Sequence, residues 1–167
     1  MTKSSRVSIW LFLITFSLVF YGMGASFVES FVNYPTWKMI GPNEFRGFHQ
    51  ALSPLILQFM VFPLVVTTVL TALLLWFRPS AIPRWAICLA LVLQIVTWIS
   101  TVTIQLPIQF ALSSDGLSIP AIEQLITTNF WFRRIPALIN SGLFFWMMLV
   151  LLRNQYRQDE ETTAHQA

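Results

Sequence analysis

Four stretches of this sequence contain no charged residue and are dominated by apolar side chains. Each is about 18 to 24 residues long, and they cover residues 7–28, 54–77, 85–106 and 135–152. A helix needs roughly 20 residues to cross the ~30 Å hydrocarbon layer of a bilayer, and a charge at its centre costs about 2.5–3.5 kcal/mol on insertion scales. The pattern therefore predicts an all-α fold, a bundle of four transmembrane helices.

Composition supports a membrane protein and limits the fold to one domain. Of the 167 residues, 56% are hydrophobic and 10% are charged, whereas an ordinary soluble domain is about 25% charged. We assign residues 1–153 to a single four-helix membrane domain and predict that residues 154–167 form a disordered, polar, cytoplasmic tail. The single cysteine, Cys88, stands within an apolar stretch, and we expect it to be a small buried apolar side chain.

The net charge of +3 does not indicate a nucleic-acid partner. Such a protein needs a basic face, and here the basic residues occur singly or in pairs near the ends of the apolar stretches. Lysine and arginine mark the cytoplasmic segments of membrane proteins, which predicts cytoplasmic N and C termini in a multi-pass protein of the cell (inner) membrane. The residues that give this orientation are Lys3, Arg6, Arg78, Arg84, Arg153 and Arg157.

The two segments predicted to lie outside the membrane contain helical signals of their own. Asn43 can cap a helix that runs into the second apolar stretch, so we expect helix 2 to extend beyond the bilayer on the outer side. Pro54 and Pro63 are expected to kink that helix. In the other segment, Ser118 followed by Ile-Pro predicts the start of a short amphipathic helix between helices 3 and 4.

Each apolar stretch carries small or polar residues at spacings of three, four or seven, which share one face of a helix. On helix 3 these residues are Gln94, Thr97, Thr101 and Gln105. We expect every such face to point into the bundle. Small and polar faces let helices pack closely and hydrogen-bond across one another. They can equally line a polar cavity for a ligand, so both interpretations stay open.

Ionisable residues are absent from the four stretches and concentrate at their outer ends. Proton relays usually need such groups at depth, so acid–base chemistry is expected at the outer rim, with His49 or Glu44 as the candidate catalytic base. These two residues are five positions apart, about 140° around a helix, and do not present both side chains to one metal ion. We predict no metal site and no cofactor. The ligand-binding residues predicted at this rim are Glu29, Asn33, Trp37, Glu44, His49, Gln105, Gln109, Asn129 and Arg133.

Four short motifs carry a resemblance to a known family. They are Asn33-Tyr-Pro-Thr-Trp37, Gly41-Pro-Asn-Glu-Phe45 leading to His49, Gln105-Leu-Pro-Ile-Gln109, and Thr128-Asn-Phe-Trp-Phe-Arg-Arg134. With them the chain resembles the small four-helix bacterial membrane proteins of unknown function that are loosely grouped with the anthrone oxygenase-like family. That resemblance implies a four-helix membrane fold and cofactor-free oxygenation of an anthrone, for which His49 or Glu44 would be the base.

Three functional hypotheses follow. The leading one is a protein that binds or acts on a small apolar or amphipathic molecule at a polar site on the outer membrane interface. There Arg133 would hold an anionic or carbonyl group, while Gln105 and Asn129 would orient it. The alternatives are a transporter or channel-like component, alone or as a homo-oligomer, and an accessory protein that packs against membrane-protein partners. All three place the chain in the lipid bilayer.

Overall fold

The computed structural model describes the backbone of residues 3–164 and the side chains of residues 6–157. Over that range the fold is all-helical and contains no strand, which confirms the predicted fold class. Four long helices are each long and apolar enough to cross a membrane. They are α1 (3–37), α2 (42–77), α3 (84–115) and α4 (119–164).

The four helices run up and down in chain order around a square. α1 packs against α2 and α4, and α3 packs against the same two helices, because short connections make consecutive helices antiparallel neighbours. The two described chain ends therefore lie at one end of the bundle, which we call the proximal end. The distal end carries the connections 38–41 and 116–118. Which end faces the cytoplasm stays a prediction.

Each long helix contains one five-residue π-helical turn, in which the backbone hydrogen bonds reach one residue further than in an α-helix. These turns are Glu29–Asn33, Leu57–Val61, Thr101–Gln105 and Phe130–Arg134. The α-helical parts are Lys3–Val28, Tyr34–Trp37, Pro42–Ile56, Phe62–Phe77, Arg84–Ser100, Leu106–Asp115, Ile119–Asn129 and Ile135–Ala164.

A proline stands two positions after the end of every π-helical turn: Pro35, Pro63, Pro107 and Pro136. Proline has no N–H, and in an α-helix its ring clashes with the carbonyl four residues earlier. A wider turn just before the proline relieves that clash while the helix continues. The sequence predicts a kink at Pro63, and the structure has a π-helical turn at that place.

Two clusters of buried apolar side chains hold the bundle together, and polar side chains are buried between them. In the proximal core, Phe12 of α1 stacks on Phe144 of α4 with ring centroids 5.9 Å apart. The proximal core consists of Phe12, Val19, Leu74, Ile82, Ala86, Ile87, Ala90, Phe144 and Met147. The distal core consists of Tyr34, Trp37, Phe45, Leu112, Ile122 and Leu125.

Large apolar side chains also cover the outside of the bundle. Trp10, Trp76 and Trp85 are exposed near the proximal end, where amphipathic rings favour the membrane interface. So much exposed apolar surface suits lipid and not water. Cys88 is exposed as well. The expectation that Cys88 is buried is therefore wrong, because its position on α3 faces away from the other helices.

Two details of the distal segments differ from the sequence prediction. α2 begins at Pro42 with Gly41 as its N-cap, earlier than the predicted Asn43 cap, since proline suits the first helical position. The helix Ile119–Asn129 does start after Ser118, whose hydroxyl accepts a backbone hydrogen bond. It is not a separate short helix, however, because it continues without a break into the rest of α4.

The end of α4 enters the segment for which the sequence predicts a disordered tail. Helical backbone continues there to Ala164. Residues 165–167 lie outside the described residues. The division into a membrane domain and a tail stays a prediction.

Truncation of Phe12 to alanine is expected to destabilise the protein by about 3–5 kcal/mol, since it removes a fully buried ring and leaves a cavity against Phe144. The measurement is the reversible unfolding of the purified protein in micelles as denaturing detergent is added. Trp10→Ala is the matched control on the same helix, because Trp10 is exposed and its loss should change stability by about 0.5 kcal/mol or less. Equal losses for the two variants would contradict the assignment of Phe12 to the core.

Candidate functional site

A cavity of about 350 Å³ lies in the distal half of the bundle, between α2 and α3. The two helices touch on both the proximal and the distal side of this distal cavity, so the gap between them is local. α1 and α4 supply its back wall through Glu29, Tyr34 and Arg133. The volume falls within the range of about 300–1,000 Å³ that is typical of small-molecule pockets.

All four π-helical turns contribute to the lining of the distal cavity. Glu29 comes from the turn in α1, Leu57 from that in α2, Gln105 from that in α3 and Arg133 from that in α4. π-helical turns are frequent at functional sites, because the extra residue redirects side chains and loosens the packing against neighbouring helices. The prolines that follow these turns thus help to create the space for the cavity.

The side of the distal cavity that faces the outer surface of the bundle is open and mainly apolar. Leu57 and Phe110 border it and are 54% and 68% exposed on the outer surface of the bundle. The opposite wall presents the polar groups of Glu29, Gln105 and Arg133. A molecule that reached this wall from the bilayer would pass between α2 and α3.

His49 bridges α2 and α3 directly behind the cavity wall. Its Nδ1 lies 2.8 Å from Ser113 Oγ, and its Nε2 lies 2.7 Å from Gln109 Oε1. Those two side chains meet it together because they are four residues apart on one face of α3. The imidazole is fully buried, stacked on Phe45 at 5.6 Å and edge-to-face with Trp37 at 5.0 Å.

The two hydrogen bonds of His49 define its chemistry. An amide oxygen only accepts, so Nε2 carries the proton and donates to Gln109. Nδ1 then accepts from the hydroxyl of Ser113, which lines the cavity. This is the arrangement of hydroxyl and imidazole that activates nucleophiles. Sequence spacing does not reveal the pair, because 64 positions separate the two residues.

Glu29 and Arg133 are the acid and the cation of the cavity lining. Glu29 is buried, and Asn33, one turn later, donates to its Oε2 at 2.5 Å. The other oxygen, Oε1, has no hydrogen-bond partner within the described chain. Among the described residues no N···O distance of 4 Å or less joins the two side chains, although the charge of Arg133 acts on Glu29. Glu29 therefore retains an acceptor for a bound molecule.

Gln105 and Asn129 tie the helices around the cavity to one another. Gln105 Nε2 donates to Thr128 Oγ1 at 2.9 Å, and its Oε1 accepts from the Tyr34 hydroxyl at 3.5 Å. Asn129 donates through its amide to Ser30 Oγ in a short hydrogen bond. Gln105 thus both links helices by hydrogen bonds and lines the cavity, whereas Asn129 links α4 to α1 by a hydrogen bond.

Some predicted site residues lie away from the cavity lining. Glu44 is exposed near the start of α2, and its carboxylate folds back over Gly41, where the helix dipole favours an acid. Trp37 is packed in the distal core, and Asn33 supports Glu29. The predicted residues that do line the cavity are Glu29, Gln105, Gln109 and Arg133, with His49 directly behind Gln109.

Five polar lining residues were not among the predicted site residues: Tyr34, Gln50, Ser53, Thr101 and Ser113. Gln50 donates to the Ser113 carbonyl at 3.0 Å and so adds a second bond between α2 and α3. The chemistry that converges on the cavity is therefore amide, hydroxyl, carboxylate and guanidinium. Within the described part of the chain, no three His, Cys, Asp or Glu side chains lie close enough together to hold a metal ion.

No family model, curated protein or solved structure matches this chain. The resemblance to the anthrone oxygenase-like family therefore stays a prediction, as does the oxygenation chemistry that it implies. The function has to be inferred from the cavity alone.

Proposed function

We propose that this chain is a multi-pass protein of the cell (inner) membrane that binds a small amphipathic molecule in the distal cavity. The molecule enters sideways from the bilayer, between α2 and α3. The observation that supports the proposal is that the two sides of the cavity differ in chemistry. The side that would face lipid is apolar at Leu57 and Phe110, whereas the wall toward the bundle core is polar.

The lining selects for a molecule with one polar end. Arg133 is the one cation among the described lining residues, and a guanidinium binds carboxylates and carbonyl oxygens through charge-assisted hydrogen bonds. The free Oε1 of Glu29 accepts from a hydroxyl or an N–H. The apolar part of the molecule would rest against Leu57 and Phe110, where it loses contact with water. A volume of about 350 Å³ suits a small or single-chain molecule.

Binding is the part of this function that the geometry supports best. Both ring nitrogens of His49 are occupied, by Ser113 and by Gln109, and Glu44 does not line the cavity. Neither candidate base therefore reaches a bound molecule directly. Any proton transfer to or from that molecule would involve the Glu29 carboxylate or the Ser113 hydroxyl, both of which line the cavity.

A photoreactive fatty acid tests the proposal. The protein is reconstituted in lipid nanodiscs with a medium-chain fatty acid that carries a diazirine at its tail. After photolysis the cross-linked residues are mapped by mass spectrometry. We expect the cross-links to concentrate in residues 50–61 and 105–113, on the two sides of the opening. Cross-links spread evenly over the lipid-facing surface of all four helices would contradict the proposal.

Ser53→Trp is expected to lower cross-linking by the fatty acid roughly tenfold, which corresponds to about 1.4 kcal/mol. Ser53 lines the cavity, so a large ring at that position occupies the space that the probe needs. Val69→Trp is the matched control on the same helix, because Val69 is exposed and lies outside the lining. The proposal fails if both tryptophans reduce the yield of cross-links equally.

A further inference from the structure

A second, smaller cavity lies in the middle of the bundle, on the proximal side of the distal cavity. Its volume is about 70 Å³, and all four helices contribute to its wall. Gln94 lines it from α3, and Asn140 and Ser141 line it from α4. We call this cavity the inner chamber.

Three polar atoms at the inner chamber are buried without a hydrogen-bond partner in the described part of the chain. They are Gln94 Oε1, Asn140 Oδ1 and Ser141 Oγ, whose residues are 4%, 7% and 3% exposed. The Gln94 amide nitrogen is already used, since it donates to Thr71 Oγ1 at 3.0 Å. An unpartnered buried polar atom costs about 1–3 kcal/mol, and native proteins contain few of them. A ligand in the chamber that donates hydrogen bonds would therefore satisfy these atoms.

Size and chemistry together select water as that ligand. A volume of about 70 Å³ has room for several water molecules, because about 10–15 Å³ of such space is enough for one. Water can donate to both amide oxygens and exchange a hydrogen bond with the hydroxyl. A metal ion is disfavoured, because the described lining contains no carboxylate but does contain the Arg133 guanidinium. An apolar molecule would leave all three polar atoms unsatisfied.

Arg133 adds a second reason for hydration. Together with Met60 it lines both the inner chamber and the distal cavity. A guanidinium within a membrane helix is costly unless polar groups solvate it. Among the described residues no carboxylate lies within 4 Å of it. Water beside Arg133 adds to the solvation that the Tyr34 hydroxyl gives its guanidinium.

We infer that the inner chamber is a water-binding site in the membrane core, and that Arg133 joins its water to the distal cavity. The bound water bridges Gln94, Asn140 and Ser141 and hydrates the guanidinium. The inference does not depend on which molecule the distal cavity binds, because the three unpartnered atoms line a separate cavity.

Radiolytic labelling in ¹⁸O-water tests this inference on the intact protein in lipid nanodiscs. X-ray pulses make hydroxyl radicals from water where it is held, and a methionine beside that water takes up the labelled oxygen. Met23 lines the inner chamber but not the distal cavity, whereas Met147 is buried in the proximal core and Met148 packs against it. Met23 should be labelled about tenfold faster than either, as expected for a hydrated and a dry location. Equal rates for Met23 and Met148 would overturn the inference.

Two variants test whether the labelling of Met23 depends on the residues that are proposed to bind the water. Asn140→Leu removes one acceptor at similar volume and should lower Met23 labelling about fivefold, while Ser141→Ala should lower it about twofold. Met60 also borders the distal cavity and should stay labelled in both. Asn129→Leu is the same substitution outside the chamber and should leave Met23 labelling unchanged. Monodisperse elution and an unchanged helical spectrum establish that each variant is folded. Unchanged Met23 labelling in both folded chamber variants would show that the water is elsewhere.

Discussion

Replacing Arg133 with leucine is expected to weaken binding of an anionic amphipathic probe by about ten- to a hundredfold. Arg133 is the one cation on the described lining of the distal cavity. A hydrogen bond to a charged group contributes about 1.5–3 kcal/mol, which is about one to two powers of ten in Kd. Among the described residues no carboxylate lies within 4 Å of Arg133, so its removal breaks no direct ion pair, although it does remove a hydrogen-bond partner of the Tyr34 hydroxyl.

The measurement is the dependence of cross-linking on the concentration of the photoreactive fatty acid, compared with the fatty alcohol of the same chain. The alcohol carries no charge, and Arg133→Leu should change its capture by less than about threefold. Arg134→Leu is the matched control, since the Arg134 guanidinium lies over the rings of Phe31 and Phe130 at 4.3 and 4.9 Å and is absent from the lining. If both leucine variants lose the acid equally, general surface charge explains the capture and the role of Arg133 is wrong.

Replacing His49 with alanine is expected to lower the free energy of unfolding by about 2–4 kcal/mol. The change breaks the hydrogen bonds to Ser113 and Gln109 and opens a hole between Phe45 and Trp37. Because Ser113 and Gln109 line the cavity, both can find other partners there. The loss should therefore come mainly from the missing ring and from the broken connection between α2 and α3.

Unfolding in denaturing detergent measures this effect. His49→Phe restores the ring but not the hydrogen bonds and should recover about half of the loss. Glu44→Ala is the control on the same helix, because Glu44 is exposed and contributes at most about 1 kcal/mol through the helix dipole. Stability that is nearly unchanged in His49→Ala would contradict the bridging role and would return His49 to the list of candidates for chemistry.

The membrane helices could be predicted because each one is specified by its own residues. A stretch of about 20 apolar residues is stable across a bilayer whatever its neighbours are. The inward faces could be predicted for the same reason, since the helical repeat decides which residues share a face. Gln94 and Thr97 line the inner chamber, and Thr101 and Gln105 line the distal cavity, so the expectation that this face of helix 3 points inward is confirmed.

The division of that face between two cavities was not predicted. The π-helical turn Thr101–Gln105 lies where the distal cavity begins, and its only local signal is Pro107. A proline in an apolar stretch can produce a kink, a π-helical turn or a gentle bend. Which of these occurs depends on the packing of the surrounding helices.

The partners of the candidate site residues were also beyond prediction. Glu44 and His49 were paired as candidate bases because they are near each other in sequence. The fold instead leaves Glu44 exposed beside Gly41 and joins His49 to Ser113 and Gln109, more than 50 positions away along the chain.

By itself, then, the sequence determined that this is a four-helix bundle suited to a membrane and which side of each helix faces inward, because both properties are local. Only the tertiary structure decided that the polar groups separate into a larger distal cavity and a smaller inner chamber, with Arg133 lining both. The physical reason is that the register of one helix against another is set by the apolar cores at the two ends of the bundle, and no spacing within a single helix records it.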